Sequence, residues 1–254
     1  MRVLVCIKRV PAPGARIVLT EDAQAIDTGL LGFVISPHEE CAVEEAVRLV
    51  EHHGGATTVL TLGPDEAEEQ LRAAMSIGIH AAALLANDGA DWAPMPTARA
   101  IASTIRELET RDGPFDLILF GNESADSSGY QVGIRVACAL DRPVVVGIKS
   151  IEIVDGTVTA LRETATGNEV YQLPLPAVLG VKEGINLPRY PTLRGRLDAK
   201  RAYVERFEPA VTTSGQTKLR LITPPQLASR TVVLGDGPSA APAVVDILEE
   251  LGLV

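Results

Sequence analysis

Asp116-Leu-Ile-Leu-Phe-Gly-Asn-Glu-Ser-Ala-Asp-Ser-Ser-Gly-Tyr-Gln-Val-Gly133 is the stretch on which the reading of this chain turns. Residues 116–120 are a dense apolar run of strand length. At Gly121 the run breaks into a polar loop with three glycines, three serines and two acids, and an apolar helical pattern resumes toward Leu140. Small residues let a backbone approach a ligand closely, and free N–H groups at a helix start can hold an anion. The loop is neither GxGxxG nor a P-loop. Its chemistry alone leaves two readings equally open: a nucleotide or anion site, or a plain polar loop at a sheet rim.

Working outward, the same strand–loop–helix unit recurs. Residues 2–7 form a buried apolar run stopped by Pro11, Pro13 and Gly14. Ser36-Pro37-His38-Glu39 then places Ser at a helix N-cap, Pro at the first helical position and Glu at the third. Ala42, Val43, Ala46, Val47 and Val50 follow as one apolar stripe, with Glu44, Glu45, Arg48 and Glu51 read as lying mostly off it, and Gly54-Gly55 ends the helix. Residues 57–62 and 81–86 read as strands, 66–77 and 97–108 as helices, 88–96 as a loop, and 144–148 as a fifth strand. This alternation predicts a Rossmann-like α/β fold, a parallel sheet with helices on both faces. Its ligand belongs at the carboxyl ends of the strands, near the switch in strand order. Beyond Lys149 the pattern changes to period two, with turns at Asp155-Gly156 and Thr166-Gly167-Asn168, which predicts antiparallel hairpins. Residues 177–181 return as a core strand. Residues 186–207 are Pro- and Arg-rich and expected to be irregular until an extended stretch near 202–207. Residues 211–225 look like a linker, and 240–251 like a terminal amphipathic helix. The expected organisation is a domain over 1–207 and an arm over 208–254.

Composition narrows the function. A formal net charge of −10 argues against a broad nucleic-acid surface. No run of about 20 apolar residues is present to span a membrane, and the opening MRVLVCIKRV lacks a signal-peptide core. Cys6, Cys41 and Cys138 have no metal-binding spacing and read as three buried small hydrophobes in a reducing cytoplasm. Lys8 and Arg9 follow the first strand, where they either reach a phosphate or remain solvated. His38 is expected at the surface of its helix start, and His52-His53 reads as a structural helix end. No nucleophile elbow, HExxH or Ser-His-Asp set stands in a suggestive context. A nucleotide-type loop without an acid–base set fits a carrier or binding subunit better than a hydrolase.

The residues also resemble a family. Val3-Leu4-Val5-Cys6-Ile7-Lys8-Arg9-Val10, Ala42-Val43-Glu44-Glu45-Ala46-Val47-Arg48-Leu49, Gly63-Pro64 and Ala73-Ala74-Met75-Ser76-Ile77-Gly78 occur in the order seen in β subunits of electron transfer flavoproteins. So do Asp126, Gln131 and Gly133, then Arg162-Glu163, Leu175-Pro176-Ala177-Val178, Asn186, Pro188-Arg189-Tyr190 and Thr192-Leu193. The resemblance covers about residues 2–207 and is weaker beyond. It implies an adenine nucleotide alpha hydrolase-like fold and a heterodimer with an α subunit carrying a redox-active FAD. It also implies a structural AMP in this chain, or a second FAD there in a flavin-bifurcating type. Electrons would pass from flavin-dependent dehydrogenases, such as acyl-CoA dehydrogenases, to a membrane quinone oxidoreductase or another acceptor. By position, the nucleotide shell would include Cys6, then Ser36, Pro37, His38 and Glu39, then Leu62 and Gly63. Ala125, Asp126, Ser127, Ser128, Gly129, Tyr130, Gln131, Val132 and Gly133 would complete it. The partner-recognition loop corresponds to residues 186–200, with Arg189 and Tyr190 in it and Leu193 as its anchor. The C-terminal arm would dock on the α subunit.

This chain departs from the family in having Ser36 where Asn is frequent, Leu187 where Glu is frequent, and His38 where an aromatic is frequent. His38 is therefore expected to hydrogen-bond to, or electrostatically tune, the flavin of the α subunit. Two other classes compete. A stand-alone universal-stress-type nucleotide-binding protein would end near residue 150 and not need the rest. An adenylating α-hydrolase would carry a Ser-Gly-Gly-x-Asp-Ser loop after its first strand, where Val10-Pro11-Ala12-Pro13 stands here.

Overall fold

The computed structural model describes residues 1–210, 218–225 and 231–254. Its strands are β1 (Arg2–Ile7), β2 (Val10–Pro11), β3 (Phe33–Val34), β4 (Ala56–Gly63), β5 (Ala81–Ala86), β6 (Leu117–Gly121), β7 (Val144–Val154), β8 (Thr157–Thr164), β9 (Gly167–Pro174), β10 (Ala177–Val181) and β11 (Val204–Phe207). Its helices are α1 (Pro37–His53), α2 (Glu68–Met75), α3 (Pro94–Asp112), α4 (Val132–Ala139), α5 (Leu193–Arg201) and α6 (Ala241–Glu250). One nine-stranded sheet runs in the order β11-β5-β4-β1-β6-β10-β7-β8-β9. It is parallel from β11 to β7 and antiparallel across β7, β8 and β9. The expected α/β fold is thus the observed one.

β1 lies inside the sheet with both faces covered, which is why its sequence is continuously apolar. Val3, Val5 and Ile7 pack with α1 and α2 on one face, while Leu4 and Cys6 pack with α3 and α4 on the other. The chain goes from β1 outward to β4 and β5, then returns to β6 on the opposite flank of β1. That reversal opens a crevice between the carboxyl ends of β1 and β6.

The second half of the chain is built into this sheet. β10 lies between β6 and β7, and β11 pairs with β5 at the far edge. A domain ending near residue 150 would lack both strands. The expected fifth strand and the first hairpin strand are a single strand, β7, bent at Gly147 (φ 77°). Gly147 supplies the left-handed backbone that lets one half of β7 pair with β10 and the other with β8.

Several sequence expectations need correction. The helix expected over 97–108 starts at Pro94, since Pro favours a first helical turn. The helix expected over 66–77 is a 3-10 turn (Asp65–Ala67) followed by the shorter α2. Cys138 is exposed, whereas Cys6 and Cys41 are buried. The irregular segment expected over 186–207 contains α5. Thr192 caps that helix by accepting the Gly195 N–H at 3.0 Å. At its other end Arg72 donates to the carbonyls of Ala199 at 2.5 Å and Ala202 at 3.1 Å. Tertiary contact with α2 thus completes a helix whose own sequence, with Gly195 in its first turn, is a weak helix signal. The expected linker over 211–225 lies partly outside the described residues. Within it, Leu221 donates to the Ala23 carbonyl at 2.8 Å.

At Gly195 an added methyl group would run into the Ser76 carbonyl oxygen at the end of α2. Gly195→Ala is expected to lift α5 from α2 and cost about 1–3 kcal/mol, despite the better helix propensity of Ala. Urea denaturation measures the cost, and an unchanged or raised midpoint would contradict the packing described.

Candidate functional site

The end of β1, the start of α1 and the loop after β6 meet at the crevice. Glu39, in the first turn of α1, is buried and has both carboxylate oxygens engaged by backbone N–H groups. Oε1 accepts from Lys8 at 2.7 Å, and Oε2 accepts from Ser36 at 2.8 Å. Ser36 Oγ in return accepts the Glu39 N–H at 3.3 Å, closing a capping box. One carboxylate thereby fixes the start of α1 against the end of β1. Burial pushes its pKa up to about 7, and the hydrogen bonds from Ser36 and Lys8 oppose that rise.

The loop after β6 is tied to the same point. Ser36 Oγ donates to the Glu123 carbonyl at 3.3 Å, and Lys8 Nζ donates to Asp126 Oδ2 at 2.6 Å. Burial works against the charge on Asp126, but the bonds from Lys8, Ser124 and Ser127 outweigh it and hold its pKa below the ordinary value. Gly121 allows this approach, since a methyl group there would lie 2.7 Å from Glu39 Cγ. Within the loop, Ser124 and Ser127 hydroxyls pair at 2.9 Å, and Ser128 donates its N–H to the Ser124 carbonyl at 3.1 Å. Ser128 (φ 46°) and Tyr130 (φ 53°) hold left-handed backbone without being glycine, strain of a kind that clusters at binding sites.

The loop delivers the chain to α4, whose N-cap residue Gln131 makes no side-chain cap. The N–H groups of its first turn therefore lack helical partners. At Gly129 a Cβ would meet nothing within 4 Å, so this part of the loop has open space beside it. Tyr130 and Gln131 also form one end of a groove of about 590 Å³ between α3 and α4, lined further by Met95, Arg99, Ile134 and Cys138.

Cys6 is buried on the α3–α4 side, where burial and the charge of Glu39 push its thiol pKa well above the ordinary value. Its thiol is therefore neutral and unreactive. Leu62 and Gly63 end β4, the strand beside β1, and the Gly63 carbonyl is taken by the Asn87 N–H at 3.0 Å. Arg9 turns away from the crevice and stacks over Phe33 at 3.3 Å. His38 is largely covered, contrary to the expected surface position. Its Nδ1 accepts the Glu183 N–H at 2.8 Å, and its Nε2 lies 3.4 Å from Glu123 Oε1.

A second cluster forms along α1. Glu44 and Glu45, expected off the apolar stripe, are buried beneath residues 186–189. Asn186 Nδ2 donates to the Cys41 carbonyl at 3.0 Å and to Glu45 Oε2 at 2.9 Å. Arg189 pairs with Glu44 at 3.0 Å and with Glu51 at 2.7 Å. Its guanidinium thus holds the segment to α1. The segment then projects Tyr190, 93% exposed, and Leu193, 77% exposed.

The chain matches the family model described as "Electron transfer flavoprotein domain" over residues 27–212. It is 35% identical over 194 residues to the electron transfer flavoprotein subunit beta of Bacillus subtilis, covering 74% of each chain. It is 28% identical over 267 residues to that of Megasphaera elsdenii, covering 99% of this chain and 98% of the relative. It is 35% identical over 208 residues to that of Mycobacterium bovis, covering 80% and 77%. The chain belongs to the electron transfer flavoprotein β-subunit family.

Membership gives this chain an electron-transfer role and implies an α-subunit partner. Among the described residues no helix is long and apolar enough to cross a membrane. Sequence reasoning missed Glu123 as the residue joining His38 to the loop, and Asp91, whose carboxylate lies 4.0 Å from Lys8 Nζ. It also missed the burial of Glu44 and Glu45, whose only signal was an acidic pair facing a distant Asn and Arg.

Glu39 yields a pH prediction. Its folded pKa of about 7 exceeds the ordinary 4.5, so the folded state binds more protons between these values. Its stabilising contribution is complete below about pH 4.5 and is lost as pH rises through about 7. Glu39→Gln is expected to remove this slope from denaturation midpoints measured across that range. It should also destabilise the fold by about 1–3 kcal/mol, because an amide cannot accept both N–H bonds. A variant retaining the full slope would contradict this role.

Proposed function

We propose that this β subunit holds an adenine nucleotide as a fixed structural element in the crevice between β1 and β6 and presents residues 190–193 to a dehydrogenase. The single observation that carries the reading is the convergence of the loops after β1 and β6 on the start of α1, joined by the Lys8–Asp126 pair. The residues fit an adenine nucleotide in two respects. The uncapped N–H groups at the start of α4 suit a phosphate. The carboxylates of Asp126 and Glu123 repel phosphate and accept hydrogen bonds, so they suit the sugar and base. Cys6, Leu62 and Gly63 contribute backbone and packing in this reading.

The redox flavin, an FAD held mainly by the α subunit, supplies the electron chemistry when bound, and this chain positions it. The reading further takes AMP as the resident nucleotide, a flavin-dependent dehydrogenase as donor, and a quinone oxidoreductase or other acceptor as recipient. α6 supports docking of the arm on the α subunit: none of its residues is buried, and Val244, Val245, Ile247 and Leu251 are exposed.

Co-expression with an α subunit, followed by mass spectrometry of released nucleotides, tests the site. One FAD and one AMP per heterodimer are expected. Two FAD would establish the bifurcating alternative, and nucleotide absent from this chain would overturn the proposal. Leu193→Ala is expected to lower electron-transfer efficiency with the dehydrogenase by roughly tenfold or more through the docking step, as for an interface anchor. Unchanged kinetics with a cognate dehydrogenase would remove Leu193 from that role.

A further inference from the structure

The candidate nucleotide loop and the segment presented to a partner are both fastened to α1, and one side chain bridges them. The imidazole of His38 reaches the backbone of Glu183, just after β10, on one side and the carboxylate of Glu123 on the other. Because Glu183 contributes an N–H donor, Nδ1 must be the acceptor. In the neutral ring the remaining proton is on Nε2, the nitrogen that lies 3.4 Å from Glu123 Oε1. Glu123 itself lies in the loop, and its backbone carbonyl accepts from Ser36 Oγ at 3.3 Å.

Downstream of Glu183 the chain has little freedom before its exposed residues. Asn186 and Arg189 are held by Cys41, Glu45, Glu44 and Glu51, all on the helix that carries His38. At the far end, Thr192 caps α5, and Arg72 binds its last carbonyls. Tyr190 and Leu193 therefore occupy a short exposed bow between two anchored ends. A change in the position of residues 183–186 reaches that bow through Asn186 and Arg189 and their contacts with α1.

We propose that His38 is a positioning residue that couples the nucleotide loop to residues 183–193, so that a nucleotide in the loop and a protein partner on the exposed bow strengthen each other's binding. This coupling rests on the nucleotide reading above. A nucleotide that orders residues 121–133 fixes Glu123, Glu123 fixes the imidazole, and the imidazole fixes the Glu183 backbone. By linkage the effect acts in both directions.

Hydrogen exchange followed by mass spectrometry tests it on the αβ complex, stripped of nucleotide and then titrated with AMP until protection of residues 121–133 saturates. Exchange at residues 183–189 is expected to slow by about fivefold or more in the native complex, the lower range of typical coupling. In His38→Ala, saturating AMP should protect 121–133 and leave 183–189 unchanged. His38→Phe fills the same space without a ring nitrogen and should uncouple in the same way if the first variant folds poorly. Protection of 183–189 that persists in either folded variant would overturn the proposal, as would its absence in the native complex while 121–133 responds. If AMP protects neither segment, the nucleotide reading itself fails and the coupling with it.

Discussion

A buried carboxylate in the first turn of a helix is the constraint on which this molecule is organised. Glu39 satisfies two backbone donors, its own helix cap at Ser36 and the Lys8 N–H just beyond β1. It adds two directional bonds to the apolar packing that already holds α1 on the central strand. The loop after β6 reaches the same position through Ser36, Gly121 and Lys8. Further along, the helix offers Glu44, Glu45 and Glu51 to residues 186–189. The loop after β6 and residues 186–189, the two parts for which binding roles are proposed, thus share one support, located by a group that is costly to bury and fully hydrogen-bonded once buried.

The Asp126–Lys8 pair illustrates how charge is used in this acidic chain. Each member is only partly covered, so as an isolated stability element the pair counts for little. Its value is geometric: it spans the crevice and sets the distance between the two loops. The same holds for Arg189, whose guanidinium positions its own segment, in which Leu187, Tyr190 and Leu193 stand exposed.

Most of the α/β framework was readable because local signals and tertiary structure agree. The apolar run of β1, the cap at Ser36 and the turn at Asp155-Gly156 each state their conformation locally. The convergence of strand-end loops was readable too, since alternation of strands and helices implies where such loops gather. Features that depend on distant partners were not readable. α5 needs Arg72, and the burial of Glu44 needs Arg189, 145 residues away. His38 read as a surface side chain because nothing near it in sequence announces that Glu183 will donate to it. The left-handed Ser128 and Tyr130 were equally silent, since neither residue type favours that conformation.

The position of β10 has a consequence for how the molecule comes into being. This strand is made after the β7–β8–β9 meander, yet it belongs between β6 and β7. A nascent chain that has emerged only through β9 can form the local meander, but it has nothing with which to join it to the earlier strands. Two apolar strand edges then stay open in the middle of the future sheet until residues 177–181 leave the ribosome. Pairing across such sequence distance is slow, and unpaired edges are the surfaces on which chains associate wrongly. The vulnerable period in the life of this protein is therefore its synthesis, and the exposed surface at that time is one the finished molecule does not have.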